Sequence, residues 1–214
     1  MRDLHCHILP GVDDGSPDLQ SSLRMLEAAR AAGVTSMVCT PHINAFYADY
    51  QRERAAFATF YEVAAKVAPQ VHVSLGFEVA HSELLQLGID EWAPRLRFAE
   101  TPEFLLELDA ECIAADFRTY ERTVYELQGL GLSVIIAHPE RYRAVQKDIQ
   151  LARNLVDWGC ELQLSANFMA RGPLSQTHRC ARRLLREGLV AHIASDAHRP
   201  EHYKQLQQAL RAWR

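Results

Sequence analysis

An α/β fold built on a parallel sheet is what this 214-residue sequence predicts, on three observations. Seven apolar, strand-like runs alternate with helical stretches. Gly33, Gly131, Gly159 and Gly188 each follow a helical stretch and precede a strand, the punctuation of βα repeats. Residues able to bind a metal stand directly after most of the apolar runs.

The first strand is expected over Asp3–Leu9. A helix follows over Asp18–Ala32, with Leu19, Leu23 and Leu26 on one stripe, Ser16 placed to cap it and Pro17 in its first turn. Strands Ser36–Thr40 and His72–Phe77 flank a helix over Tyr50–Val67. Strand Phe104–Leu108 leads to a helix over Phe117–Leu130, and strand Ser133–Ala137 to one over Ile149–Trp158. Strand Glu161–Ser165 precedes a helix over Ser175–Glu187, and strand Ala191–Ala194 one over Glu201–Trp213. An open doubly wound sheet and a closed barrel both satisfy this order. Candidate ligands stand at six or more strand ends, and a ring of strands gathers that many C-terminal ends where an open sheet gathers fewer, so barrel-like closure is expected. No linker-like run, repeat or low-complexity tract interrupts the pattern, which implies one domain over residues 1–214.

Apolar residues make up 48% and charged residues 23%, with a net charge of −4. A mildly acidic chain without a basic run is a poor general binder of nucleic acid or of anionic membranes. No stretch reaches the roughly 18–20 apolar residues of a membrane span, so no membrane insertion is expected. The five cysteines, Cys6, Cys39, Cys112, Cys160 and Cys180, are odd in number and scattered, which favours reduced thiols in a cytoplasm.

The chemistry sits in short motifs at strand ends. In His5-Cys6-His7 the imidazoles are two residues apart, on one face of a strand, where both can hold one ion; Cys6 then points to the opposite face and into the core. Asp13-Asp14-Gly15 reads as a turn, and one aspartate of the pair is a plausible ligand beside that motif. His42 closes the second strand and Glu78 the third, where a carboxylate is costly to bury without a cation. Glu107 stands among apolar residues, with Asp109 as its rival. His138 ends the fifth strand, and Asp196 and His198 repeat the same-face spacing after the seventh. Neutral imidazoles with carboxylates suit a multinuclear site of divalent ions. Two such ions clamp a phosphoryl group and lower the pKa of a bound water from 15.7 to about 7. Arg141 is placed to meet a phosphate oxygen bidentately, or else to pair with Glu140.

In this order, the residues from His5 to about Arg199 resemble the polymerase-and-histidinol-phosphatase (PHP) family of metal-dependent phosphoesterases. The stretch from Asp3 to Gly15, Thr40-Pro41-His42, His138-Pro139-Glu140-Arg141-Tyr142 and Ser195-Asp196-Ala197-His198 look like its bacterial branch of capsule and exopolysaccharide protein-tyrosine phosphatases. That resemblance implies a distorted (β/α)7 TIM-like barrel with three divalent metals, commonly Mn2+, with iron or zinc as alternatives. It implies that His5, His7, Glu78 and Asp196 hold one ion, Glu78, Glu107 and His138 a second, and Asp14, His42 and His198 the third. It assigns Arg141 to the phosphate and a catalytic share to His42 and His198. Its substrate is phosphotyrosine on a capsule or exopolysaccharide tyrosine kinase. The loop Ile43-Asn44-Ala45-Phe46-Tyr47 departs from the branch's usual pattern.

Two Cys-x5-Arg spacings occur, Cys112 to Arg118 and Cys180 to Arg186. Neither contains a glycine and the second lies on a helix, so neither forms a phosphate loop. A histidinol-phosphate phosphatase and a metal-binding regulatory module without turnover are the remaining alternatives. The arginine-rich helix face around Arg179, Arg182, Arg183 and Arg186 reads as a solvated face.

Overall fold

The computed structural model describes residues 1–99 and 101–213. Among them the chain forms nine strand segments: β1 (Arg2–Cys6), β2 (Ser36–Cys39), β3 (His42–Ile43), β4 (His72–Leu75), β5 (Glu78–Ala80), β6 (Glu103–Glu107), β7 (Ser133–Ala137), β8 (Glu161–Ser165) and β9 (His192–Ala194). Every ladder is parallel, in the orders β1-β2-β4 and β3-β5-β6-β7-β8-β9. β2 and β3 are one path broken at Thr40-Pro41, and β4 and β5 one path broken at Gly76-Phe77. Gly76 N–H donates to Cys39 O at 2.9 Å and Glu78 N–H to Pro41 O at 3.1 Å, which carries the pairing across both breaks. The two ends of the sheet meet where Asp196 N–H donates to His5 O at 2.8 Å and His7 N–H to Ala197 O at 2.9 Å. The result is a ring of seven strand paths, closed between β1 and β9, as expected of a distorted barrel.

Nine helices accompany the strands among the described residues: α1 (Leu19–Ala31), α2 (Tyr50–Val67), α3 (His81–Leu87), α4 (Ile89–Leu96), α5 (Phe117–Gly129), α6 (Arg143–Lys147), α7 (Gln150–Asp157), α8 (Gln176–Arg186) and α9 (His202–Trp213). The cap of α1 is Asp18, not Ser16: its carboxylate accepts from Ser21 N–H at 2.7 Å. Ser16 instead donates its hydroxyl to Asp18 O and accepts from the Ser22 hydroxyl, each at 2.9 Å. Pro17 accordingly lies outside the helix. Strand β1 also ends earlier than expected, at Cys6: beyond it His7 N–H donates to Ala197 O and His7 O accepts from Ser16 N–H, so the ladder with β2 stops. None of the described helices is long and apolar enough to cross a membrane.

The apolar residues divide into two compartments. One lies between strands and helices and includes Cys6, Met25, Phe60, Leu127 and Leu155. The other is a small plug inside the ring, made of Leu4, Val38, Phe98, Leu105, Ile135, Ala137 and Ala194. Gly76 is required beside that plug: a Cβ there would stand 2.2 Å from Phe98 Cδ1 and 2.8 Å from Val38 Cγ1. A bulge shapes β1. Asp3 pairs with Met37 and Cys6 with Cys39, so Leu4 and His5 together oppose Val38. Such bulges re-aim side chains; here Leu4 joins the plug, His5 joins the polar layer above it and Cys6 joins the outer core.

Candidate metal centre

Above the plug, the strand ends converge on a polar cluster. His5 Nδ1–H donates to Gln163 Oε1 at 2.8 Å, and His7 Nδ1–H donates to Asp13 Oδ2 at 2.8 Å. In the neutral rings these partners fix both tautomers and leave each Nε2 as the lone pair that a metal would take. The two Nε2 atoms are only 3.1 Å apart. Glu78 Oε2 lies 3.2 and 3.3 Å from them, and Asp196 Oδ1 3.6 and 3.5 Å. Two carboxylates and two imidazole nitrogens crowded this closely need positive charge between them, protons on the rings in the metal-free chain or a shared cation in their place, so this set fits a divalent metal.

The neighbouring groups extend it. Glu78 Oε2 also lies 3.0 Å from His42 Nδ1, while its Oε1 lies 2.7 Å from His138 Nε2. Glu107 Oε1 stands 3.6 Å from His138 Nε2. Asp14 Oδ1 is 3.4 Å from both His42 Nε2 and His198 Nε2. Three sets have ligand atoms mutually within 4.8 Å: His7, Asp14, His42 and His198; His5, His7 and Asp196; His42, Glu78 and Glu107. All nine residues expected as ligands are therefore gathered, with His138 joining through Glu78. The grouping differs from the one the family resemblance implies: His7 and His42 each belong to two sets, because their rings stand between neighbouring groups. The rival Asp109 accepts from Glu111 N–H at 2.8 Å in a turn. The Asp13–Asp14 pair divides its work, Asp13 orienting His7 and Asp14 facing the imidazoles.

Charge follows geometry. Burial works against ionising Glu78, but His5, His42 and His138 hold it well below the usual carboxylate range. Asp196 is likewise held low, chiefly by Arg141 and His5 against its burial. Burial, then repulsion from Glu78, lifts Glu107 to about 7. Burial, then the Arg141 charge, pushes His138 down to about 4. His138 (φ 32°) and Asp196 (φ 48°) both sit in the left-handed region, strain that is common at functional sites.

Arg141 pairs with Asp196 and not with Glu140, whose Oε1 instead accepts from Ser165 N–H at 3.0 Å. Ser165 Oγ–H and Asn167 Nδ2–H also donate to Asp196 Oδ2, at 3.0 and 3.3 Å. Gln163, Ser165 and Asn167 were not singled out from the sequence. The alternation of Glu161, Gln163 and Ser165 with leucines was the available signal, since period two puts Gln163 and Ser165 on one face. Cys6 points away from the cluster, its Sγ 3.3 Å from Val38 O, as expected. All five cysteines are free and buried, and Cys180 lies on α8.

The ring of strands and the layered imidazole–carboxylate set define a metal-binding α/β barrel. Residues 1–212 match the model of the CpsB/CapC capsular polysaccharide synthesis family, and the chain belongs to it. It is 32% identical to the tyrosine-protein phosphatase YwqE of Bacillus subtilis over 208 residues, 92% of this chain and 77% of that protein. A crystal structure from work on YwqE and on CpsB of Streptococcus pneumoniae, both described there as metal-dependent tyrosine phosphatases, superposes with a TM-score of 0.84 at 29% identity, covering 99% of this chain and 87% of that one. A Listeria monocytogenes protein solved as a candidate histidinol phosphatase shares the fold, with a TM-score of 0.55 at 13% identity over 94% of this chain and 97% of that one.

Proposed function

We propose that the chain is a metal-dependent protein-tyrosine phosphatase acting on phosphotyrosine of a capsule or exopolysaccharide tyrosine kinase. The observation that carries this reading is the close meeting of His5, His7, Glu78 and Asp196, flanked by the two adjoining ligand sets. His5, His7, Asp14, His42, Glu78, Glu107, His138, Asp196 and His198 would hold the ions, manganese in the first instance. Bound divalent cations supply an activated water and neutralise phosphoryl charge. Arg141, fixed by Asp196, is held where its remaining N–H groups can grip a phosphate oxygen. His42 and His198, partly exposed, would take their catalytic share as ligands, holding an ion where substrate can reach it. Asp13, Gln163, Ser165 and Asn167 keep these groups oriented. One domain carries the whole site, and the five buried free thiols suit a cytoplasmic protein.

The test is manganese-dependent phosphate release from a phosphotyrosine peptide, beside histidinol phosphate at equal concentration. Preference for the peptide is expected, abolished by EDTA and in His138→Ala and unaffected by thiol alkylation. Preference for histidinol phosphate would move the enzyme to the other phosphomonoesterase class. Sensitivity to alkylation without sensitivity to chelator would overturn the metal reading.

A further inference from the structure

A groove of about 690 Å³ runs between α6 and α8, outside the ligand cluster. Arg143 and Lys147 line it from α6, and Arg179, Arg182, Arg183 and Arg186 from α8; no acidic residue lines it. The α8 arginines recur three and four residues apart and so form one stripe. Like charges at that spacing repel, so Arg179 and Arg182 work against the helix, whereas Arg183 and Arg186 stand in its last turn, where a cation is favoured. Among the described residues, Glu187 pairs with Arg183 at 3.0 Å and Glu111 with Arg143, whereas Lys147, Arg179, Arg182 and Arg186 have no salt bridge. Val145, Ile149 and Cys180 are buried beneath the charges and close the floor of the groove.

The groove adjoins the turn that enters the centre. Gln146 Nε2–H donates to Glu140 O at 2.8 Å, and the neighbouring Arg141 pairs with Asp196. A polypeptide lying in the groove would thus reach the opposite side of the turn that presents Arg141. The chain carries a net charge of −4, so this is a local cationic surface on an acidic protein, too confined for the long backbone of a nucleic acid.

We propose that this groove docks an acidic segment of the phosphoprotein, Asp or Glu side chains meeting the free arginines. The proposal rests on the phosphotyrosine reading above. Binding remote from the reacting bond stabilises ground and transition states alike, so it lowers KM and leaves kcat unchanged.

The experiment compares the wild type with Arg182→Glu/Arg186→Glu, loaded with manganese, on three substrates: p-nitrophenyl phosphate, a phosphotyrosine peptide flanked by Asp and Glu, and the same peptide with Asn and Gln flanks. The expected result is a KM roughly tenfold higher for the acidic peptide only, an effect shrinking as salt rises because exposed charges are screened. Should that variant fail to fold, Arg182→Gln/Arg186→Gln carries the same comparison with a smaller expected change. Equal KM changes for both peptides, or none, overturn the proposal. Fluorescence anisotropy of the unphosphorylated acidic peptide tests the groove separately from turnover. If p-nitrophenyl phosphate is cleaved and neither peptide is, the tyrosine-phosphatase reading fails, while arginine-dependent peptide binding still upholds the groove. Binding of single-stranded DNA or phosphatidylserine vesicles in place of the acidic peptide overturns it.

Discussion

Asp13 and Asp14 are chemically identical neighbours whose tasks are set by where one turn points them. Asp13 Oδ1 accepts from Gly15 N–H at 3.0 Å while its other oxygen fixes His7. Gly15 permits that approach, since a Cβ there would come within 2.1 Å of His7 O. Outer partners of metal-binding imidazoles typically account for ten- to a hundredfold in metal affinity or activity. Asp13→Ala is therefore expected to weaken manganese binding about tenfold or more by titration calorimetry, with the far-UV dichroism of the native chain. Unchanged affinity would mean that the His7 ring is held by its neighbours alone.

The elements show why some of this was legible in the sequence and some was not. Candidate ligands at strand ends were visible because each polar residue interrupts or directly follows an apolar run, as Glu78 does after Phe77 and His138 after Ala137. The seven strand paths were visible for the same reason, and the barrel closure followed from counting ends. The short continuations β3 and β5 were missed, because Pro41 and Gly76 disguise a path that resumes after two skipped pairings. Helices α3 and α4 were missed too, being short, with Pro94 inside the second. The partnership of His5 with Gln163 spans 158 residues, and no local pattern encodes it. The break at Gly76 has a measurable consequence. A methyl group added there must displace Phe98 and Val38 in the plug, and overpacking of this kind costs about 1–3 kcal/mol. Gly76→Ala should lower the Tm by roughly 3–10 °C in a chain of this size. An unchanged Tm would show that the plug can yield.

At the scale of the whole molecule, closing the ring buries acids that have no metal to answer to. Asp3 accepts from Ser195 N–H at 2.8 Å and from its hydroxyl at 2.6 Å, which ties β1 to the segment leaving β9; burial lifts it to about 6. Burial likewise lifts Glu140 to about 7 and, with repulsion from Asp13 and Asp49, Glu53 to about 8. An acid whose folded pKa lies above its unfolded value of about 4 costs stability as pH rises through that interval. In the metal-free chain His42 acts in the same direction: burial opposes its protonation, Glu78 outweighs that and raises it to about 10, so its contribution fades above its unfolded pKa of about 6.5. Glu78 and Asp196, held low, contribute fully throughout this range and fail only in acid. His138, pushed down to about 4, opposes the trend, but its effect is complete by about pH 6.5. The metal-free protein should therefore lose thermal stability between pH 5 and 8.5. Glu53 is buried on α2 with one carboxylate oxygen unpartnered among the described residues, so Glu53→Gln removes one of the larger contributions without changing shape. That variant should melt about 3–8 °C above the wild type at pH 8.5 and within about 1 °C of it at pH 4.5. A wild-type Tm that stays level over that span, measured by calorimetry after chelation, would show that these acids remain solvated in the folded chain.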